Sequence, residues 1–497
     1  MNIEKLFSKE QYARYVPAVV ELNAGSVSPF DILSSLSGDH PYKALLETVS
    51  PNARTGRYSL ISWFPHALLS AYGDSIELTI GSECYGYTAH PLYELEKLCG
   101  LRKRTSDLPF PFIGGGIGYL SYDLNRYFHA YPDRDVVPTG YPDLFFMFVD
   151  SYMIFDHILE KVYCVSLYDP LSNENRQGAQ RILDEMVSCY QNCLQVKRST
   201  KKEFVQPKTS LDDIGAYSIL GKKKYVDMVR RVKEYIRCGD IYQANVSHRI
   251  DFPAHSDGVR LYENLRRINP SPFASYLQCG SFEIISCSPE RLCKKENNFI
   301  ETRPIAGTRP RGISGQEDFV MRSDLLLSEK ERAEHIMLVD LARNDIGKIA
   351  LTGNVEVDEF MVVEKYSHVQ HIVSNVRGII QKNIGLVAFL ESLFPCGTIT
   401  GVPKIRCMEI IDELESVKRG IYTGSLGYIS DNGDLDLNVA IRTIVKQHDT
   451  FSLQVGAGIV ADSDPEMEYY ESLHKAHALY EALKATEEIV NDECIHN

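Results

Sequence analysis

The sequence predicts an α+β fold with largely antiparallel sheets, on three observations. Strand-like runs such as Ala67 to Ile80 and Leu144 to Phe155 are separated by turns, not by helices of regular length. Helix-like stretches, Tyr225 to Arg237, Ser328 to Asp345 and Ser463 to Leu479, fall at irregular intervals. No repeating β-α alternation therefore asks for a parallel, doubly wound sheet. Third, 497 residues at 44% hydrophobic supply core enough for two or three domains.

Composition narrows the function classes. A net charge of −14 argues against a nucleic-acid partner, though an anionic small substrate fits if cations are gathered locally. No apolar run approaches the eighteen or so residues of a membrane helix, and the first fifteen residues carry charges where a signal peptide needs an apolar segment. The twelve cysteines lack a short-spaced framework, which fits reduced thiols in the cytoplasm. Cys189 and Cys193 could share a helix face, but no nearby His or Cys completes a zinc set.

Taken in order, residues 1–195 read as strands and turns. Gly114 to Gly118 marks a close backbone approach, not a phosphate loop, because no Lys-Ser or Lys-Thr follows. Residues 196–217 are polar, basic and proline-containing, a surface connection to a second region, 218–490. There Tyr225 to Arg237 is amphipathic and stops at Gly239, Ile241 to Ile250 alternates like a strand, and Ser281 to Ser288 reads as another. Glu301 to Gly312 is too rich in Pro, Gly and Arg for a helix and reads as a loop. Ser328 to Asp345 carries apolar residues at three- and four-residue steps, with Glu331 and Glu334 one turn apart. In Ser463 to Leu479, Asp464-Pro465 reads as cap and first helical residue, and Glu468, Glu471 and Lys475 share a face. Two such faces can offer four carboxylates to one hard cation; each alone also fits a solvated helix surface. His368 and His371, three apart in a strand-favouring run, point to opposite faces and cannot share a metal.

The motifs GDIYQANVS (239–247), SPERL (288–292), ETRPIAGTRPRG (301–312), EKERAEHIMLVDLARND (329–345), EKYSHVQHIVS (364–374), FPCGTITGVPKIRCMEIIDELE (394–415), YTGSLGY (422–428), AIRT (440–443) and GAGIVADSDPEMEYYE (456–471) resemble, in order, the chorismate-utilising enzymes. The resemblance is strong from Lys222 to about Leu483 and looser over the first 195 residues. It implies two large, mostly antiparallel sheets packed orthogonally with flanking helices, to which both regions contribute strands. It also implies Mg²⁺ held by Glu334 and Glu471, with Glu331 and Glu468 binding directly or through water. Chorismate is a dicarboxylate whose ring loses its C4 hydroxyl to a nucleophile, so the reaction needs a Lewis acid and a proton donor. The general acid matches Glu290, expected to keep its proton beside four other carboxylates; the alternative is an exposed Glu at a strand end. Substrate-binding positions match Gly307, Thr308, Tyr422, Arg442, Gly456, Ala457, Gly458 and Lys475. A catalytic histidine matches His371, which also fits a hydrogen-bonded core residue. FPCGTITGVPK lacks nucleotide-loop spacing and reads as a turn lining the site, with Lys404 near it.

Within the family, members that add water carry Lys where this chain has Gln243; those that add ammonia resemble Gln243, and the chemistry implied is amination. PIAGT, with Ala306, matches the anthranilate branch and one aminodeoxychorismate branch, and excludes a covalent lysine at that position. Asn245, Thr400 and DLNVAIRT (436–443) resemble the aminodeoxychorismate side, which makes 4-amino-4-deoxychorismate for para-aminobenzoate and folate. ALLET, GRYS and NPSPFASYL place Thr48, Pro272, Phe273 and Ala274 at a tryptophan-like pocket, with Thr48 and Ala274 standing where Ser and Met are expected. A catalytically inactive homologue acting as a binding subunit is the reading of another class. No G-x-C-x-G nucleophile turn occurs, so a separate glutaminase subunit is the implied partner.

Overall fold

The computed structural model describes residues 12–36, 38, 40–50, 56–129, 139–195, 209–365 and 369–495. Its centre is a pair of antiparallel sheets. The first has eleven strands in the order Val16–Asn23, Lys161–Tyr168, Ser151–Asp156, Tyr58–Ser62, Tyr42–Glu47, Phe273–Cys279, Phe282–Ser288, Thr443–Gln447, Thr450–Ile459, Gln243–Pro253 and Gly401–Val402. The second has twelve, with Val369–Ile380 near one end and Pro65–Tyr72, Ser75–Ile80 and Glu83–Thr88 at the other. The sequence regions on either side of residues 196–217 build both sheets together. Tyr42–Glu47 pairs with Phe273–Cys279, and Gly115–Leu120 pairs with Ser425–Ser430. Of the connection, residues 196–208 lie outside the described residues, and Leu211–Gly215 forms a short capped helix.

The apolar run Leu144–Val149 shows how the layers form. Phe145, Met147 and Val149 face the core between the sheets, while Leu144, Phe146 and Phe148 face the helices outside the second sheet. A strand buried on both faces loses its polar alternation, which is why this one reads as continuous. Leu144 to Phe155 is not one strand: it breaks at Asp150, and the chain passes from the second sheet to the first as Ser151–Asp156. Asp150 at this corner is ion-paired to Arg102 at 2.7 Å and Arg104 at 3.1 Å. Ala67 to Ile80 likewise divides, at Gly73, whose φ of +58° makes the hairpin turn. Glu301 to Gly312 is not helical, as expected, but neither is it a loop. Phe299–Thr302 and Ile305–Pro310 both pair with Val369–Ile380, and their ladder satisfies the backbone.

Helices cover the outer faces. Glu329–Gly347 starts at Ser328, whose hydroxyl accepts from Glu331 N, and packs on the end of the second sheet. Pro465–Ile495 starts after Asp464, whose carboxylate accepts from Glu466 N and Met467 N, and packs on Thr450–Ile459 of the first sheet. The two acid-bearing helices thus flank different sheets, and Glu334 of the first lies within electrostatic reach of Glu471 of the second.

Candidate active site

On Gln243–Pro253, Ala244 and Val246 point into the helix-side core, which turns Gln243 and Asn245 to the opposite face. The neighbouring strand presents glycines there: Asn245 pairs with Gly458, Val246 with Ala457 and Ser247 with Gly456. A Cβ on Gly456 would stand 2.9 Å from Asn245 Oδ1, and one on Gly458 would stand 2.7 Å from Gln243 Nε2. At Gly456 a Cβ would also run into Val246 O, so that position requires glycine. Gln243 Oε1 and Asn245 Oδ1 are buried without a hydrogen-bond partner.

Glu290 is buried at 6% exposure, which removes the exposed strand-end reading, and its Oε1 accepts from Thr398 Oγ1 at 2.9 Å. Its pKa rises to about 7. The cause is burial in an apolar niche, not the neighbouring carboxylates expected from the sequence. A cavity of about 30 Å³ adjoins it, lined in part by Leu338, Leu341, Cys396 and Gly397. Lys404 lies at the edge of this niche, held by Asp345 at 2.6 Å.

His371 Nδ1 stands 3.1 Å from Gly307 O and 3.0 Å from Thr308 Oγ1. A carbonyl can only accept, so Nδ1 carries the hydrogen and Nε2 is the acceptor nitrogen. Burial lowers this imidazole's pKa to about 4, with nearby Arg442 acting in the same direction, so it is neutral at pH 7. Arg442 sits at φ +50°, a left-handed conformation costly for a side-chain-bearing residue, and its Nη1 donates to Asn269 Oδ1 at 2.8 Å. Among the described residues no carboxylate pairs with it, and burial lowers its pKa. Burial leaves it a desolvated cation. The Tyr422 ring lies against the Arg419 guanidinium, and Tyr422 approaches Tyr225 alongside Glu468 and Glu471.

The four carboxylates come near one another without converging. Burial first, then neighbouring charges including Glu331, Asp462 and Glu471, raise the pKa of Glu334; burial and Glu471 raise that of Glu468. Arg309 holds Glu331 at 3.0 Å, Lys330 lies 3.9 Å from Glu334, and Lys475 holds Glu471 at 3.0 Å while donating to Gly456 O. Glu468 Oε2 is buried with no partner. Among the described residues no three His, Cys, Asp or Glu side chains stand at metal-ligand distance. The donor set nonetheless suits a hard divalent cation: all are carboxylates, they repel one another, and one buried oxygen is unsatisfied.

Away from these residues, Thr48, Pro272, Phe273 and Ala274 line one cavity of about 610 Å³. Thr48 Oγ1 lies 3.2 Å from both Tyr58 O and Pro272 O, so its hydrogen stays within the wall. Of the zinc and second-histidine readings, His368 lies outside the described residues, and Cys189 and Cys193 contact Ser35 and Asp31.

Three groups escaped the sequence reading. Thr398 was one letter in a turn motif. Asp462 is close to Glu334 but falls outside both E-x-x-E faces. Arg419 is buried and gathers Ile399 O, Asn245 O, Thr423 Oγ1 and the Glu415 carboxylate around one guanidinium. The four-residue Glu415–Arg419 spacing was its only sequence signal.

A family model described as chorismate binding enzyme matches residues 51–481. Anthranilate synthase component 1 of Acetivibrio thermocellus is 37% identical over 480 residues, covering 95% of this chain and 96% of that protein. Aminodeoxychorismate synthase component 1 of Bacillus subtilis (strain 168) is 38% identical over 454 residues, covering 91% and 94%. Among solved structures, anthranilate synthase component I from Streptococcus pneumoniae TIGR4 superposes with a TM-score of 0.73 at 31% identity, covering 92% of this chain and 98% of that one.

Proposed function

Because this chain belongs to the chorismate-binding enzyme family and uses chorismate, we propose that it adds ammonia to chorismate at C4 and releases water. The product is 4-amino-4-deoxychorismate, with the enolpyruvyl group retained. The observation that carries this reading is the meeting of Asn245 and Thr400, two residues that resemble the aminodeoxychorismate branch: Asn245 N donates to Thr400 O at 2.8 Å beside the glycine wall. Gln243 supplies no base on that wall, and ammonia, unlike water, needs none.

Arg442 takes a substrate carboxylate as its missing anion, assisted by the Tyr422 hydroxyl. Glu290, protonated up to about pH 7, gives its proton to the departing C4 oxygen, while Thr398 holds Oε1 and leaves Oε2 to carry the proton. Neutral His371 presents Nε2 as an acceptor. Glu334 and Glu471, with Glu331 and Glu468, would hold Mg²⁺; when bound it supplies Lewis-acid charge for a carboxylate of the substrate. Ammonia comes from a separate glutaminase subunit, as the component naming of the relatives suggests.

The test is mass spectrometry of products from chorismate, Mg²⁺ and ammonium chloride. An aminated product retaining the enolpyruvyl carbons is expected. Stoichiometric pyruvate with anthranilate fluorescence would establish the second reading, amination with pyruvate loss, which the Ala306 sequence PIAGT favours.

A further inference from the structure

The helix Glu329–Gly347 carries Glu331 and Glu334, yet most of what holds it to the second sheet is apolar. Its buried residues are His335, Leu338, Val339, Asp345 and Ile346. Leu338, Val339 and Ile346 pack without directional preference, so alone they let the helix shift along its axis by a fraction of a turn. Asp345 is tied to Lys348 and Lys404 at the far end. Arg309 reaches Glu331 at 3.0 Å, but it is a long, part-exposed side chain and holds one carboxylate, not the helix. A carboxylate that ligates a cation has to stand within about 0.2 Å of its proper distance, and such contacts do not specify that.

His335 supplies the directional contact. It follows Glu334 directly, lies one turn after Glu331 and is fully buried. Its Nε2 stands 2.6 Å from Ser374 Oγ, and among the described residues its Nδ1 has no partner, so this is the ring's one hydrogen bond. Ser374, fully buried as well, is held in turn. Its Oγ accepts from Met361 N at 2.9 Å, where the strand Ala350–Lys365 bulges and Met361 takes a φ of +52°. Ser374 comes three residues after His371 on Val369–Ile380, on the face turned to the helix, where Gly378 lies against Ile346. His371 on the other face is bonded to Gly307 O, and a Cβ on Gly307 would stand 2.9 Å from Glu331 Oε2. We propose that His335 is a positioning residue: through Ser374 it sets the register of the helix bearing Glu331 and Glu334 against the strand bearing His371. The inference rests on the metal reading above and adds what fixes two of its carboxylates in place.

His335→Gln reaches as far as Nε2 and can donate or accept there, whereas His335→Asn reaches only as far as Nδ1. Mg²⁺ binding to the full chain is read by calorimetry, beside the half-saturating Mg²⁺ of turnover at saturating chorismate and ammonium chloride. The expected result for His335→Asn is a tenfold or larger rise in both, with kcat at saturating Mg²⁺ within threefold of the parent. His335→Gln should bring both back to within threefold. Ser374→Ala breaks the same bond from the other side and should raise both as far, and combining it with His335→Asn should raise them no further. If His335→Asn does not fold, His335→Leu with Ser374→Ala decides the point. Val339→Ala thins the apolar contact of the same helix and serves as the control: its thermal midpoint should fall while Mg²⁺ binding stays within twofold. An unmoved Mg²⁺ affinity in His335→Asn, or an equal loss in Val339→Ala, would make His335 a packing residue and overturn the proposal. A parent that binds no Mg²⁺ defeats the metal reading itself. A parent that binds it no better than its His335 and Ser374 variants defeats only the positioning.

Discussion

The large cavity around Thr48 and the candidate site around Glu290 are built by different rules. In the cavity wall the polar groups satisfy one another: Thr48 lies against two backbone carbonyls, Arg57 is bonded to Asp156 and Arg291 to Asp436, and Ser275 Oγ is an unpaired exception. At the candidate site the balance is left open. Among the described residues Gln243 Oε1, Asn245 Oδ1 and Glu468 Oε2 have no hydrogen-bond partner, no carboxylate pairs with Arg442, and Glu290 is buried with its pKa raised to about 7. A buried group left unsatisfied is costly in the free protein, and a substrate that completes it recovers that cost. Volume marks the first region, and groups left without partners mark the second.

The hardest test of this contrast is Glu290→Gln. It should lower kcat by about 10²–10⁴-fold, the usual span for a general acid, without changing the chorismate KM appreciably. In the parent, kcat should be highest below about pH 7 and fall as pH rises through that value, because the acid form is the active one. Stability follows the same sign. A raised pKa favours the folded state below the unfolded value of 4.5, and this advantage is lost as pH rises through about 7. The substitution should therefore raise the thermal midpoint relative to the parent at pH 8 more than at pH 5, with an upper limit of about 3 kcal/mol. A flat pH profile for kcat would put the proton on another group.

Next come the carboxylates. Glu334→Gln and Glu471→Gln should each cost more than about 100-fold in activity at millimolar Mg²⁺, since each removes a charged ligand oxygen. Without the metal the same substitutions should be mildly stabilising, because they relieve the mutual repulsion that helps raise the Glu334 pKa. Near-parental turnover in either variant would place the metal elsewhere.

How much of this contrast was legible beforehand depends on how local its cause is. The two acid helices announced themselves through apolar spacing and through Ser328 and Asp464-Pro465 at their starts, all within a few residues of chain. Glu290 was singled out by its motif, but its burial was not legible, because that burial is made by Leu338, Leu341 and Cys396 from distant segments. The break at Asp150 was hidden since both flanking runs are buried on both faces, and apolar patterning cannot show which sheet a strand joins. Ile305–Pro310 read as a loop because its Pro and Gly residues are tolerated at a sheet end, with a register shift at Gly307. Arg419 left only its spacing to Glu415 in the sequence, because two of its partners, Ile399 O and Asn245 O, are backbone oxygens that carry no sequence signature.

Thr398→Val sharpens the comparison at lower amplitude. It removes the hydroxyl that lowers the Glu290 pKa and keeps the side-chain volume. The descending limb of the kcat–pH profile should move to higher pH, and kcat at its plateau should fall about tenfold or less as the acid loses orientation. Thr398→Ser should restore both. A loss of activity with an unmoved pH limb would make the threonine a packing residue only.

The smallest effect is expected at the cavity, and it is the one that would break the comparison. At about 610 Å³ the space can admit an amino acid with a large ring, so size does not exclude tryptophan. What is missing is a set of groups waiting for it. The Thr48 hydroxyl is committed to Tyr58 O and Pro272 O, its methyl presses on Gly56, and Ala274 leaves a stretch of wall without a side chain. Among the described wall residues Ser275 Oγ is the one buried side-chain atom without a partner, and one neutral hydrogen bond contributes only about 1 kcal/mol. Micromolar tryptophan should therefore leave the amination rate within about twofold of its free value. Isothermal calorimetry should find weak binding, near the millimolar range that about −4 kcal/mol represents. Strong inhibition at micromolar tryptophan would mean that a cavity with satisfied walls can still be a regulatory site, and would favour the anthranilate reading over the one proposed.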